Sequence, residues 1–278
     1  MHMVDILTYY DQHPINEFAI NDALLRAGKR LDNLVPEDLF AYDQDHYGGL
    51  AAVDALAKSA AIGASDRVLD VCSGIGGPAR YIAHVCGCPV TGLDLNRSRV
   101  FSAARLTARV GLTDKVGFVC GDAICMPFPN GTFTRVVSQE AFLHVEDKNA
   151  LFANCTRVLA LGGRLTFTDW VASSHLTASE RAALGKGMAA VAIHQEDEYV
   201  KYLGAAGLSG IAVEDLSVWW GELLRKRLQM YQEKREETER MFGVGRYREF
   251  MDAYELFVRV IEEGKLGGAR FSARRLEG

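Results

Sequence analysis

Three carboxylates stand at the ends of short apolar runs: Asp70 in RVLDV, Asp94 in PVTGLD and Asp122 in VGFVCGD. Between the first two lies Asp70-Val71-Cys72-Ser73-Gly74-Ile75-Gly76-Gly77-Pro78-Ala79, a turn rich in glycine. Glycines let a ligand approach the backbone and let the chain take positive φ. No Gly-Lys-Ser/Thr follows, so the turn is not a P-loop. A dinucleotide would bring its pyrophosphate to the N-terminus of the following helix, where Asp70 would repel it. Ala79 also occupies the third position of the dinucleotide fingerprint. A tight packing turn is the plain structural alternative.

A ligand with an amino group and no phosphate fits these residues better. Asp70 would draw in its ammonium, directly or through water. Asp94 would accept hydrogen bonds from both ribose hydroxyls, and Asp122 from an exocyclic adenine amine. S-adenosylmethionine has these groups. Further along, Ser138-Gln139-Glu140-Ala141-Phe142-Leu143-His144-Val145 follows another apolar run. Glu140 and His144 are four residues apart, so one helical turn after a strand would aim both at one cleft. Such a pair could take a proton from a nucleophile; a structural histidine is the alternative. Trp170, Trp219 and Trp220 could line a pocket and cage a cation, or simply fill the core.

These residues need a frame that brings strand ends to one rim. From residue 50 to 170 apolar runs and helical patterns alternate: a helix at 50–62, strands at 67–71, 89–94, 116–120, 134–138 and 164–169, and helices at 78–86, near 97–111 and at 147–160. That alternation predicts right-handed βαβ units and a parallel sheet covered on both faces. Before it, Pro14 suits a first helical position, and Ile15, Phe18, Ala19 and Leu25 share one face. The stretch AYDQDHYGG then reads as an ordered loop. After Asp169, helices are predicted at 176–192 and 195–206, a strand at 210–218, two more helices, and a last strand in GARFSARR. The charged run RKRLQMYQEKREETER reads as a solvated face. The resulting division is an N-terminal helical lid over 1–49 and a domain over 50–278, with helical additions at about 171–207 and 220–264.

VLDVCSGIGGPARYIA, GLDLN, GDAICMPFP and SQEAFLHV, in that order, resemble the motifs of class I S-adenosylmethionine-dependent methyltransferases. The resemblance is most specific to the small-molecule branch with sarcosine/dimethylglycine and phosphoethanolamine N-methyltransferases, and covers about residues 36–170. It implies an α/β, Rossmann-like fold with a mostly parallel sheet and an antiparallel last strand. It implies that Asp70, Ser73, Gly74, Gly76 and Gly77 cradle the methionine part of the cofactor. Asp94 and Leu95 would hold ribose and the adenine edge, Asp122 and Ala123 the adenine, and Gln139 the sulfonium side. His144 would pair with an N-terminal tyrosine, Tyr47 in preference to Tyr42, and act with Glu140 in catalysis. Cys72 departs from the pattern, which often has glycine there. The phosphate-clamping basic residues of the phosphoethanolamine enzymes have no evident counterpart.

The chain has 278 residues, 49% hydrophobic and 24% charged, with a formal net charge of −5, which suits a folded enzyme and argues against disorder. With 31 basic against 36 acidic residues there is no general positive field for nucleic acid. No apolar run is long enough for a membrane span, and the N-terminus lacks a signal-peptide pattern, so a cytoplasmic location is expected. The six cysteines form no CxxC pair and lack histidines at zinc-ligand spacing. Reduced, mostly buried thiols and no metal are expected. The functional expectation is methyl transfer to a small molecule, most readily an amine nitrogen. Oxygen, sulfur or carbon acceptors remain open, as does a non-catalytic cofactor-binding subunit; self-association into a homo-oligomer is compatible with either.

Overall fold

The segment Val68–Val71 is buried at every position, as a strand covered on both faces must be. The computed structural model describes residues 3–11, 13–44 and 46–276. In chain order the elements are α1 (Met3–Asp11), α2 (Glu17–Arg26), α3 (Pro36–Leu39), α4 (Gly49–Ser59), β1 (Val68–Val71), α5 (Gly77–Cys86), β2 (Val90–Asp94), α6 (Arg97–Arg109), β3 (Val116–Cys120) and β4 (Phe133–Gln139). A 3-10 turn (Phe142–His144) follows, then α7 (Lys148–Val158), β5 (Leu159–Ala172), α8 (Ala178–Met188), α9 (Glu196–Ala205) and β6 (Leu208–Asp215). The chain continues through α10 (Ser217–Glu233), α11 (Arg235–Phe242), α12 (Val244–Glu262) and β7 (Leu266–Arg275).

One seven-stranded sheet runs in the order β3-β2-β1-β4-β5-β7-β6. β1 pairs in parallel with β2 and β4, β2 with β3, and β4 with β5. β7 is antiparallel to both β5 and β6. This is the class I methyltransferase sheet. Strand order reverses where β1 lies between β2 and β4, so the loops leaving β1 and β4 part there. In open α/β sheets that crevice binds ligands.

One apolar cluster packs α7 and α9 on the sheet, around Leu69, Val136, Phe152, Phe167 and Phe271. A second lies under α2, α4 and α5, around Leu24, Val53, Leu56 and Ile82. A third joins α8, α10 and α12 to the end of β5, around Trp170, Trp220, Leu224 and Phe257. Among the described residues no helix is long and apolar enough to cross a membrane.

The structure corrects the sequence reading in several places. α2 starts after Asn16, whose side chain accepts from the Ala19 N–H, and Pro14 lies outside the helix. That start fixes the helical phase so that Ile20 and Leu24 face the core, while Phe18 and Leu25 point to solvent at 81% and 56% exposure. Helix α7 stops at Val158, and Gly162-Gly163 fall within an irregular start to β5, where the register with β4 shifts. Three helices, not two, separate β6 from β7. All six cysteines are free, but only Cys88 and Cys155 are buried; Cys120 is exposed because β3 is the sheet's edge strand.

Candidate active site

A cavity of about 250 Å³ opens over the crevice beside β1 and β4. The turn after β1 forms its floor. Cys72 takes a left-handed φ of 60°, unusual for a residue with a side chain, and Gly74 and Gly76 follow at 55° and 79°. A Cβ at Gly76 would strike Phe118, and one at Gly77 would overlap the Asp43 carbonyl. Only glycine lets the loop at Asp43 and Gln44 lie this close to the turn. That loop is fastened from beneath: Arg80 on α5 donates to Asp43 Oδ2 at 3.1 and 2.9 Å, with both side chains fully buried.

Asp70, Asp94 and Asp122 all border the cavity, as their strand-end positions predict. Asp94 accepts from the backbone N–H of Gly74 and of Asn96, each at 2.8 Å, and so clamps the glycine turn to the end of β2. Asp122 accepts from the Ile124 N–H at 3.1 Å. Asp70 is buried, and its Oδ2 lacks a hydrogen-bond partner among the described residues. Burial, and secondarily the Asp94 charge, push its carboxyl up to about 8. Ser73 Oγ and both amide atoms of Gln139 are likewise buried without partners in this one cavity. Buried polar groups are nearly always satisfied, so four orphaned atoms on one wall are groups that a polar ligand would satisfy. A carboxylate, a hydroxyl and an amide suit an amino-acid head group with an ammonium facing Asp70. Gly74, Gly77, Leu95 and Ala123 border the same space; Gly76 does not, and serves the turn instead.

On the other side of the cavity, the left-handed φ of 51° at Glu140 ends β4 and leads into the 3-10 turn. Its carboxylate accepts the Tyr47 backbone N–H at 2.9 and 3.1 Å. His144 Nδ1 lies 2.8 Å from the Ala189 carbonyl, an acceptor only, so Nδ1 carries the proton. In the neutral ring Nε2 then accepts from the Tyr10 hydroxyl at 2.6 Å. Lys148 steadies this turn, its ammonium donating to the carbonyls of Phe142, Val145 and Ala192 at 2.6, 2.7 and 3.0 Å.

The tyrosine that meets His144 is therefore Tyr10, not Tyr47 or Tyr42. The Tyr47 ring is buried between Trp220 and Phe257, and Tyr42 packs on the cluster under α2. Tyr10 is delivered by α1, whose Asp11 accepts from Asn96 Nδ2 at 2.9 Å and Ser98 Oγ at 2.8 Å at the start of α6. The Arg99 guanidinium lies 5.1 Å from the Tyr10 ring centroid. Of the three tryptophans only Trp170 borders the cavity; Trp220 fills the core. Sequence reasoning missed Tyr9, Tyr231, Phe250 and Tyr254, which also line it. It missed Arg227 too, since that residue of the supposed solvated run turns inward. The adjacent Tyr9-Tyr10 pair was the available sequence signal for the first of these.

A family described as a methyltransferase domain matches residues 69–167. The chain is 40% identical over 116 residues to a sterol 24-C-methyltransferase of Eremothecium gossypii, a stretch covering 42% of this chain and 31% of that protein. Against a phosphoethanolamine N-methyltransferase of Plasmodium falciparum it is 27% identical over 222 residues, 79% of this chain and 82% of the other. Among solved structures, phosphoethanolamine N-methyltransferase 2 of Haemonchus contortus, in complex with phosphomonomethylethanolamine and S-adenosylhomocysteine, superposes with a TM-score of 0.76. That match has 20% identity and covers 96% of this chain and 59% of the other, so it speaks to fold. Residues 69–167, which carry the glycine turn and all three strand-end carboxylates, are a methyltransferase domain.

Proposed function

We propose that this chain transfers a methyl group from S-adenosylmethionine to a small molecule, at an amine nitrogen. The observation that carries the proposal is the set of orphaned atoms on Asp70, Ser73 and Gln139 beside the glycine turn. These residues would hold the methionine part, with Asp70 against its ammonium. Asp94 with Leu95 would hold the ribose side, and Asp122 with Ala123 the adenine. The cofactor, when bound, supplies an electrophilic methyl on a sulfonium.

The protein's own task is then to align an acceptor and remove water. Helix α1 covers the cavity and is latched at Asp11 and Tyr10. Tyr10 donates to His144 Nε2, and Ala189 holds the ring from its far side. In that tautomer Nε2 is the basic atom, so the pair can take a proton from a protonated amine through the Tyr10 hydroxyl. Glu140 keeps Tyr47 in place by accepting its backbone N–H, and its carboxylate borders the cavity, where it would suit a cationic acceptor. Among the relatives matched over most of both lengths, one is named a phosphoethanolamine N-methyltransferase and another a 27-O-demethylrifamycin SV methyltransferase, so nitrogen and oxygen acceptors both occur at that length of match.

The test uses S-adenosylmethionine with a deuterated methyl group and a library of small amines, alcohols, thiols and phenols, read by mass spectrometry. Label on an amine nitrogen is the expected result. Label on carbon, oxygen or sulfur would overturn the choice of nitrogen alone. Failure to bind S-adenosylhomocysteine in calorimetry would overturn the whole reading.

A further inference from the structure

Helix α10 carries three consecutive basic residues, and they do not share a fate. Arg225 is exposed and pairs with Glu262 at 2.8 Å, and Lys226 is exposed. Arg227 instead turns between Leu224 and Leu228, which pack in the third apolar cluster, and reaches the cavity. Its guanidinium lies 5.3 Å from the Tyr47 ring centroid, donates a long contact of 3.5 Å to the His46 carbonyl and also hydrogen-bonds with the Tyr254 side chain. No ion pair within 4 Å involves it among the described residues. An arginine has five N–H donors in a fixed fork, so most of this one's capacity faces the cavity rather than a protein anion.

The surroundings define what it could receive. Tyr231, Phe250 and Tyr254 form an aromatic wall beside it, with stacked Phe250 and Tyr254 rings 5.7 Å apart. Among the described residues Glu140 is the acidic side chain on this half of the cavity, and its charge bears on Arg227, Tyr47 and Tyr254. One guanidinium next to one carboxylate leaves little net positive charge. A dianionic phosphate would need more. A single carboxylate fits the planar fork in bidentate fashion.

We infer that Arg227 is the specificity-determining residue for the acceptor, and that it receives a carboxylate carried on an apolar or aromatic frame. The inference rests on the acceptor side of the function proposed above. Binding such a group also fixes the orientation of the rest of the molecule. The anion lies against α10, the frame against the aromatic wall, and the other end points toward Glu140 and Tyr10.

The experiment uses the full chain saturated with S-adenosylhomocysteine and three probes that share one aromatic body: phenylacetate, its methyl ester and benzyl phosphate. Calorimetry and tryptophan fluorescence read the binding. Phenylacetate should bind, the ester at least about tenfold more weakly, and benzyl phosphate more weakly than the carboxylate. Arg227→Leu should weaken phenylacetate by at least about tenfold, with S-adenosylhomocysteine affinity and melting temperature kept. Arg227→Lys should restore part of the loss. No phenylacetate binding, equal binding of acid and ester, or undiminished binding in Arg227→Leu would overturn the inference. Tighter binding of benzyl phosphate would overturn the choice of carboxylate. The wild-type comparison of acid and ester needs no variant, so a misfolded mutant does not rescue the idea. Absence of S-adenosylhomocysteine binding would indict the methyltransferase reading instead.

Discussion

Asp70 sits where water is excluded and a cation is wanted. Its carboxyl titrates near 8 because burial disfavours the charged form and Asp94 adds a like charge. In an unfolded chain an aspartate titrates near 3.9, so the folded protein holds the extra proton between the two values. Stability from this group is therefore full below about pH 4 and is lost as pH rises through about 8. The ligand-free protein should melt at lower temperature at pH 9 than at pH 6, and Asp70→Asn should flatten that difference in scanning calorimetry. An ammonium bound beside Asp70 should lower its pKa and expel the proton. Calorimetry at pH 7 in buffers of different ionisation enthalpy should show proton release with S-adenosylhomocysteine, and none from Asp70→Asn.

Tyr10 belongs to the same scale. Tyr10→Phe keeps the ring against Arg99 but removes the hydroxyl that meets His144. Turnover should drop by about tenfold or more, while S-adenosylhomocysteine affinity changes little. Equal loss in both would mean that Tyr10 only holds α1 shut. The contrast between Asp70 and Tyr10 also shows what a sequence can reveal. Asp70, Asp94 and Asp122 are legible because a strand end is both a sequence feature and a place. Tyr10 and Arg227 are not, since their direction depends on how distant helices pack. Three neighbouring basic residues on α10 carry the same charge pattern whichever of them turns inward.

At the scale of elements, the site depends on two loops that approach without a side chain between them. Gly77 opens α5, and the Asp43 carbonyl fills the space a Cβ would need. Gly77→Ala should push the loop at Asp43 and Gln44 away from the turn, cost about 1–3 kcal/mol of stability, and weaken S-adenosylhomocysteine binding in calorimetry. Unchanged affinity would mean that the loop does not help to shape the cofactor seat. Helix α2 illustrates why such packing is hard to foresee. Its apolar residues could make more than one face, and the Asn16 cap, not the apolar count, selects Ile20 and Leu24. The strands were easier to place. β1 and β2 have short apolar sequences, and their burial on both sides leaves them little freedom.

For the molecule as a whole, the N-terminal segment is tied to the helices on the sheet by a buried ion pair. Arg80 reaches from α5 to Asp43, and its remaining donors go to the Ala103 carbonyl and Thr107 Oγ1 on α6 at 3.3 and 3.2 Å. Arg80→Met would leave the Asp43 carboxylate buried without its cation, at about 3–5 kcal/mol. The expected result is a large drop in urea midpoint with cofactor affinity lost in parallel; a midpoint near wild type would show that the loop can rearrange around a neutral Asp43.

β7 occupies an interior place between β5 and β6, although it follows both in sequence. β6 has no other strand to hold it, so it can join only after β7 has docked, and β5 meets β7 across roughly a hundred residues of intervening chain. Assembly of this half of the sheet is thus ordered and slow by topology. Until it is complete, the outer edge of β5 is a template on which a second unfinished molecule could add its own strand, so crowded refolding should lead to mispairing at this edge before any other.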